Sequence, residues 1–421
     1  MFFDASHSYE LQFQSPEERE RFYETASAIR PSIRVYAPDL TNSDATVEAC
    51  TTTIDGVGPE AVTVTCNNAA GKPVARELTG ECKVNASKLL TEPLTIWTGT
   101  FNLSGHHPPR NPAELGTWMP KDKYDIYAVA VQEASYRKEE SEWFEFIQSY
   151  LGKDYLSLAS MNLWDTLLIV LCRKKHLLKI TNVEGSTKAT IHKSVCGTKG
   201  GIGISLRYLE TSICFVTCHL AARLERNAMR NTNVEEIFDC LQLGIRETDF
   251  ANQFNHVFMF GDFNYRVELD SAPAEALIKE KNYQQLLDYD QMSIQRSEEG
   301  IIHGYQEPPI AFAPTYRMQV GSEKYMAERG DAPSYCDRVL TRSMANTWVK
   351  CTAYKSHPAV QTSEHQPVSA TFIIRCVRPV MACFAQTQSP IPQFVFEEIN
   401  FVESTGPIIK KPAIMIASPF T

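Results

Sequence analysis

The sequence predicts an α/β domain in which two packed β-sheets are covered by helices. From residue 94 to about residue 374, short apolar runs typical of buried strands alternate with amphipathic stretches. Strands and helices mixed at this spacing favour stacked sheets with helices on their outer faces. The predicted strands lie at residues 94–97, 126–131, 166–171, 213–218, 257–260 and 368–374.

Two helices are predicted between these strands. The first places Val234, Ile237, Phe238, Leu241 and Ile245 on one apolar face, at the spacing of helical turns. The second spans residues 273–288. Both are expected to cover the sheets.

Composition limits the classes of partner and compartment. The 421 residues carry a net charge of −9, from 41 basic and 50 acidic side chains. Proteins that bind nucleic acid non-specifically usually have a strongly basic surface, so no nucleic-acid partner is expected. The 12 cysteines are scattered without zinc-ligand spacing, no apolar run approaches the ~20 residues of a membrane span, and the N-terminus lacks signal-peptide character. We therefore expect a cytoplasmic protein whose phosphate binding is confined to a local pocket.

Polar side chains lie at the ends of several predicted strands, where rigid backbone meets loops and ligand sites commonly form. They are Asn102, Glu133, His219, Asp262, Asn264, Glu364 and His365. Oxygen ligands without cysteine suit a hard cation such as Mg²⁺. Imidazoles can donate to phosphoryl oxygens while a carboxylate activates water, so this set indicates metal-assisted hydrolysis of a phosphate ester.

The order of these motifs resembles the inositol polyphosphate 5-phosphatase family of the DNase I-like endonuclease/exonuclease/phosphatase superfamily. The resemblance covers residues 94–374. The motifs that carry it are WTGTFN at 97–102, QE at 132–133, GTKGG at 197–201, HLAA at 219–222, RN at 230–231, GDFNYR at 261–266, PTYR at 314–317, PSYCDR at 333–338 and SEH at 363–365. It implies a four-layer α/β sandwich with the site at one rim of the two sheets.

The same resemblance implies roles for the site residues. Glu133, helped by Asn102, would hold Mg²⁺. Asp262 would orient or deprotonate the attacking water, and Asn264 would position the phosphoryl group. His219 and His365 would stabilise the transition state, with His365 tuned by Glu364 and supported by Asp337. The substrate-binding candidates are Lys199, Arg230, Asn231, Arg266, Tyr316, Arg317 and Arg338; Arg338 could instead pair with a carboxylate.

The implied activity is Mg²⁺-dependent removal of the 5-phosphate from phosphoinositides or soluble inositol polyphosphates, with transient binding to membrane surfaces. Arg317 is the variant seen in SH2-containing inositol 5-phosphatases, which favours phosphatidylinositol 3,4,5-trisphosphate as substrate. Two alternatives stay open. A DNase I-like nuclease would use the same hydrolytic groups, and a catalytically weak phosphoinositide-binding protein would explain why Glu364 stands where the family usually has Asp.

The chain is predicted to have three parts. Residues 1–90 form an N-terminal extension, whose strand at Tyr9, Leu11 and Phe13 and capped helix from Ser15 resemble the end of a pleckstrin-homology domain. Within this extension, the sequence of residues 41–90 is equally consistent with short strands and with a mobile linker. Residues 91–376 form the catalytic domain. Residues 377–421 contain two strand-like runs that resemble the start of a C2 domain.

Overall fold

The computed structural model describes residues 50–51, 63–67, 73–77 and 91–378, with gaps at 108–110, 136–139, 191–198, 246–252, 297–299, 327–330 and 345–346. The predicted strand around Leu11, the helix from Ser15 and both tail strands lie outside the described residues. Between residues 41 and 90, three short strands form an antiparallel sheet: β1 (Cys50–Thr51), β2 (Thr63–Asn67) and β3 (Pro73–Glu77). For these residues the structure favours short strands over a linker.

The first large sheet has six strands. They are β4 (Thr91–Asn102), β5 (Ile126–Gln132), β6 (Tyr155–Leu163), β7 (Thr166–Arg173), β13 (Val349–Ser356) and β14 (Val368–Val377), in the spatial order β13-β14-β4-β5-β7-β6. Strands β4 and β5 are parallel, and the other neighbours are antiparallel. All seven residues of β5 are buried, as expected for a central strand covered on both faces.

The second large sheet has five strands in the order β12-β11-β10-β9-β8. They are β8 (Ile180–Ala189), β9 (Gly200–Tyr208), β10 (Thr211–His219), β11 (His256–Asp262) and β12 (Asp337–Ser343). Strands β10 and β11 are parallel, and the remaining pairs are antiparallel. All six strands predicted from the sequence are therefore confirmed as β4, β5, β7, β10, β11 and β14.

The two sheets pack face to face through one apolar core. Ile96, Ala128 and Val170 of the six-stranded sheet share this core with Phe215 and Phe258 of the five-stranded sheet. The ring of Phe258 lies 4.9 Å from that of Phe372 in β14, centroid to centroid. Alternate residues of each strand point into this layer, and their neighbours point to the outer faces.

Helices cover both outer faces and complete four layers. They are α1 (Pro112–Trp118), α2 (Glu140–Leu151), α3 (Asn227–Cys240), α4 (Ser271–Lys279), α5 (Tyr283–Leu287) and α6 (Gln291–Gln295). Trp118 of α1 and Trp143 of α2 pack on the six-stranded sheet, whereas Ile237 of α3 and Met292 of α6 pack on the other. The expected four-layer α/β sandwich is confirmed.

Both predicted helices were placed correctly but given the wrong extent. The first ends at Cys240, so Leu241 caps it and Ile245 lies beyond it. The second is two helices, because Lys281 adopts a left-handed conformation (φ 56°) and the side chain of Asn282 caps a new helix. In the described part of the chain, none of the helices combines the length and apolar character needed to cross a bilayer.

Candidate active site

The site lies at one rim of the sandwich, because neighbouring strands end or begin there in register. His219 at the end of β10 pairs with Asp262 at the end of β11, and Asp262 pairs with Asp337 at the start of β12. In the other sheet, Asn102 at the end of β4 pairs with Gln132, the residue before Glu133. Residues far apart in the chain therefore meet at one edge.

Asp262 is the centre of the hydrogen-bond network at this rim. Its carboxylate accepts from the Asn102 side-chain amide (2.7 Å), from the Asn264 backbone N–H (2.9 Å) and from the Asn264 side-chain amide (3.0 Å). Asp262 is only 1% exposed. Burial on its own would raise the pKa of this carboxyl, but the hydrogen bond from His219 and the charges of His365 and Lys199 hold it below its ordinary value.

His365 is oriented by Asp337. Its Nδ1 lies 2.8 Å from Asp337 Oδ2, which also accepts from the Thr315 hydroxyl at 2.8 Å. Burial lowers the pKa of His365, but the Asp337 carboxylate more than offsets this and raises it. Burial also raises the pKa of Asp337, against the opposing effect of His365. A carboxylate at Nδ1 fixes the ring so that Nε2 is available to another partner.

The prediction that Glu364 tunes His365 needs correction. The two oxygens of the Glu364 carboxylate pair with the Arg317 guanidinium at 2.7 and 2.8 Å. The carboxylate that contacts the imidazole is Asp337, which comes from another strand. Adjacency in the chain was misleading because successive residues of an extended segment point in opposite directions.

Glu133 and Lys199, which contact the buried ring of His219, form the more open side of the site. The Glu133 side chain is 38% exposed, and its Oε1 lies 3.5 Å from the Lys199 ammonium and 3.4 Å from His219 Nε2. Lys199 also hydrogen-bonds to the His219 ring. Burial would raise the pKa of Glu133, but His219 and Lys199 lower it overall. Lys199, predicted to bind substrate, therefore lies at the catalytic centre.

Two of the predicted substrate-binding cations have structural roles instead. Arg230 is fully buried and donates to the carbonyls of Ala221, Arg223 and Leu224; burial lowers its pKa to about 10. Arg338 is fully buried and pairs with Asp290 and Glu307 at 2.9 and 2.6 Å. For Arg338, the predicted alternative of pairing with a carboxylate is therefore confirmed, and the substrate-binding role is not. Neither side chain has a surface from which to contact a substrate.

Asn231 is also held within the protein. Its side-chain amide donates to Gln295 at 2.9 Å and its oxygen accepts from the Tyr265 hydroxyl at 2.7 Å. These bonds tie α3 to α6 and to the loop after β11. The substrate role predicted for Asn231 is replaced by a structural one.

Arg266, Tyr316 and Arg317 lie beside the catalytic residues. Arg266 donates to the Asn264 side-chain oxygen at 2.6 Å, and its guanidinium lies 4.5 Å from the centre of the Tyr316 ring. The Tyr316 ring in turn lies 4.4 Å from that of His365. Arg266 therefore holds Asn264 and Tyr316 in place, while Arg317 is about one-fifth exposed at the rim.

Sequence reasoning missed Asp165, Thr315, Ser363 and Gln132. Asp165 precedes β7, and one of its carboxylate oxygens is buried without a hydrogen-bond partner among the described residues. Burial raises its pKa, although His219 and Lys199 are near enough to lower it. Its position directly before a predicted strand was a usable signal. Thr315 and Ser363 hydrogen-bond to Asp337 and Asn102, whereas Gln132 hydrogen-bonds to Thr100 and Thr217. All three lie within the quoted motifs, but the sequence does not reveal these partners.

A hard divalent cation fits the donor chemistry of the open side. Glu133 offers an accessible carboxylate, and the Asn102 amide oxygen accepts one bond, from the Ser104 N–H, and keeps a second lone pair. Asp262, Asp337 and His365 form a tighter group, with ligand atoms within 4.8 Å of one another. Hydrogen bonds between the members of that group and to Asn102 already hold it together. Glu133 and Asn102 are thus the residues that could hold a cation.

Two family models match the sequence. One, described as endonuclease/exonuclease/phosphatase family 2, matches residues 99–371. The other, described as a PH-like domain, matches residues 1–73, nearly all of them outside the described residues.

Curated relatives are identical to the chain at about one-third of the aligned positions. Phosphatidylinositol 3,4,5-trisphosphate 5-phosphatase 2B of Danio rerio is 32% identical over 324 residues, covering 70% of the chain and 26% of that protein. The corresponding 5-phosphatase 2 of Homo sapiens is 32% identical, covering 66% and 24%, and 5-phosphatase 1 of Rattus norvegicus is 33% identical, covering 66% and 26%. The chain thus spans about a quarter of the length of these relatives.

Solved structures share the fold. The inositol polyphosphate 5-phosphatase domain of SPsynaptojanin, in complex with inositol (1,4)-bisphosphate and calcium ion, is 28% identical with a TM-score of 0.62, covering 70% of this chain and 88% of that one. Cimex nitrophorin, as a ferrous NO complex, has a TM-score of 0.56 at 23% identity, covering 67% and 98%. The second likeness concerns the fold alone.

Proposed function

Because the chain belongs to the endonuclease/exonuclease/phosphatase family, in its inositol polyphosphate 5-phosphatase branch, we propose that it hydrolyses the 5-phosphate of inositol phosphates. The observation that carries this proposal is the convergence of His219, Asp262 and His365. They come from three separate parts of the chain, and the two imidazoles face the buried carboxylate of Asp262. Relatives with this activity support the reaction class.

In the proposed reaction Asp262 orients the attacking water. Water adds to phosphorus, the bond from phosphorus to the inositol oxygen breaks, and a proton from the water ends on that oxygen, which gives inorganic phosphate and a free inositol hydroxyl. A carboxylate whose pKa is held below its ordinary value accepts protons weakly, so positioning the water is favoured over complete removal of its proton. The two amide groups of Asn102 and Asn264 keep the carboxylate fixed during the reaction.

His365 and His219 stabilise the phosphoryl group. The raised pKa of His365 keeps its imidazole protonated to higher pH, so the ring can donate to an oxygen that gains negative charge. His219 is fully buried between Glu133 and Asp262, where water cannot screen its interactions. Both groups are positioned before the substrate arrives, which is the general requirement for electrostatic catalysis.

Mg²⁺ is the proposed cofactor. Glu133 and Asn102 would hold it, since oxygen ligands suit this ion. When bound, a divalent cation neutralises charge on the phosphoryl oxygens. The calcium ion named in the SPsynaptojanin complex supports the binding of a divalent cation.

Phosphatidylinositol 3,4,5-trisphosphate is the proposed substrate. Phosphatidylinositol 4,5-bisphosphate and soluble inositol polyphosphates are the alternative substrates for the same reaction. The curated relatives named for this lipid support the choice. A lipid substrate requires the protein to work at a membrane surface, so we place it in the cytoplasm with transient membrane contact. Nucleic acid is not a proposed substrate, because the net charge is −9.

Phosphate release from a panel of inositides tests the proposal. We expect release from 5-phosphorylated lipids and from inositol 1,4,5-trisphosphate in Mg²⁺, and its loss when EDTA is added. Supercoiled plasmid incubated under the same conditions is the control for nuclease activity. Nicking of the plasmid without phosphate release would favour a nuclease, and binding of inositides without turnover would favour a binding protein.

A further inference from the structure

Arg317 and Glu364 form a two-pronged ion pair at the rim of the site. Arg317 Nε donates to one carboxylate oxygen at 2.8 Å, and its terminal NH₂ donates to the other at 2.7 Å. The side chains are 20% and 28% exposed, so the pair is within reach of solvent and of a solute. A carboxylate bound in this way occupies the guanidinium edge in the geometry that a phosphate would use.

The pair is fixed beside the catalytic histidine by backbone contacts. The Met318 N–H donates to the Glu364 carbonyl at 2.7 Å, and the Glu364 N–H donates to the Ser104 hydroxyl at 3.3 Å. The Tyr316 ring packs on the His365 ring at 4.4 Å. Burial raises the pKa of the Tyr316 hydroxyl and the charge of Arg317 acts to lower it, so the guanidinium lies near this ring. A substrate whose scissile phosphate reaches His365 would therefore bring its neighbouring groups close to Tyr316 and this ion pair.

We propose that Glu364 is an internal competitor for a substrate phosphate, because its carboxylate holds the guanidinium edge of Arg317 that the phosphate would bind. This inference rests on the proposed function and names a specificity-determining residue for it. A ring that carries a second phosphate next to the scissile one displaces the carboxylate and gains Arg317. A ring without that phosphate leaves the pair intact.

The side chain of Glu364 has a length suited to this role. An aspartate at this position would be shorter by one methylene. The longer side chain lets both carboxylate oxygens meet the guanidinium edge. Partly exposed ion pairs are weak, so the pair can open for a phosphate with two negative charges at modest cost.

Equilibrium binding of two soluble headgroups to the full chain tests the proposal. The probes are inositol 1,4-bisphosphate, which carries a phosphate on the ring carbon next to position 5, and inositol 1-phosphate, which does not. We expect Glu364→Gln to bind the bisphosphate about 2- to 5-fold more tightly than the parent and the monophosphate unchanged, as the loss of a partly exposed pair implies. Unchanged or weaker binding of the bisphosphate by Glu364→Gln would overturn the proposal.

Two matched variants separate pairing from a general change in charge. Glu323 is an exposed acid on the loop that follows Arg317, and Glu323→Gln should leave both affinities at the parent value. In an Arg317→Ala background, Glu364→Gln should bring no gain, since the guanidinium it releases is absent. An equal gain in affinity for the bisphosphate, either in Glu323→Gln or in Glu364→Gln on the Arg317→Ala background, would contradict a specific effect of the ion pair. If Glu364→Gln fails to fold, Glu364→Asp takes its place, because the shorter acid loses one of the two contacts and should also tighten binding of the bisphosphate.

Turnover of the parent is measured alongside these affinities. Tighter binding in Glu364→Gln without 5-phosphatase activity in the parent keeps the competitor role and rejects the proposed function. Activity in the parent with unchanged affinity in Glu364→Gln supports the proposed function and rejects the competitor role.

Discussion

At the scale of single residues, the site depends on buried acids that face imidazoles. Asp262 and Asp337 are both buried within hydrogen-bond networks, and their pKa values move in opposite directions. The difference follows from their partners, because Asp262 accepts from two asparagines and faces two histidines, whereas burial dominates at Asp337. The two carboxylates therefore have different proposed roles: Asp262 orients the attacking water, and Asp337 orients the ring of His365.

The pH dependence of activity should report the His365–Asp337 pair. Asp337 raises the pKa of His365, so the cationic ring is present below that pKa and is lost as pH rises through it. In Asp337→Asn the pKa falls, and the alkaline limb of the kcat/KM profile should shift to lower pH. The exposed Asp288→Asn is the control and should keep the parent profile. An unshifted alkaline limb in Asp337→Asn would show that this carboxylate does not set the protonation of His365.

At the scale of elements, the close approach of β10 and β11 places His219 beside Asp262. Gly261 makes this possible: its φ is 152°, and a Cβ there would lie 2.2 Å from the Cys218 carbonyl oxygen and 2.7 Å from the Cys218 nitrogen. Only a residue without a side chain allows the two parallel strands to pair up to their last residues. The GDFN motif thus needs its glycine for packing and its aspartate for chemistry.

Gly261→Ala should lower both activity and stability. The added methyl group forces β11 away from Cys218, at a cost of roughly 1–3 kcal/mol for overpacking, and moves Asp262 away from His219. Urea denaturation and phosphate release measure the two effects. Gly116→Ala is the control, because its Cβ would meet the Tyr150 hydroxyl at an ordinary 3.5 Å within a helix. Full activity of Gly261→Ala would contradict the role given to this strand contact.

At the scale of the whole molecule, a buried charge network joins β12 to the loops that cover it. Arg338 is enclosed with Asp290, Glu307 and the hydroxyl of Tyr354, which donates to Glu307 at 2.9 Å. Charges buried in this way stabilise the fold only while every partner is present. Because Arg338 follows Asp337 directly, this network also fixes the start of the strand that supports His365.

Arg338→Met should destabilise the protein by about 3–5 kcal/mol, because it leaves the buried Asp290 carboxylate without its cation and leaves Glu307 with Arg296 alone. The midpoint of urea unfolding measures this loss. Arg207→Met removes an ion pair of exposed side chains, Arg207 with Glu210, and should change the midpoint little. Equal effects of the two substitutions would argue against a structural role for the buried network.

Much of the architecture and of the site follows from the sequence, for physical reasons. Buried strands such as β10 and β11 appear as continuous apolar runs, and the catalytic groups His219 and Asp262 are the last residues of these two strands. Tertiary partners are invisible in the sequence. The burial of Arg230 depends on the preceding loop, which turns three carbonyl groups toward it, and on Gln291 from a distant helix. A single helix over residues 273–288 was wrong because Lys281 adopts a left-handed conformation.

The central claim is that residues distant in the chain converge on one buried carboxylate to hydrolyse a phosphate ester. Single-turnover phosphate release by Asp262→Asn, at a substrate concentration that saturates binding, tests this most directly. The account predicts a rate lower by about 10²–10⁴-fold, as expected when a group that positions or activates water is lost, with headgroup affinity retained. Release at the parent rate by a folded Asp262→Asn would contradict it.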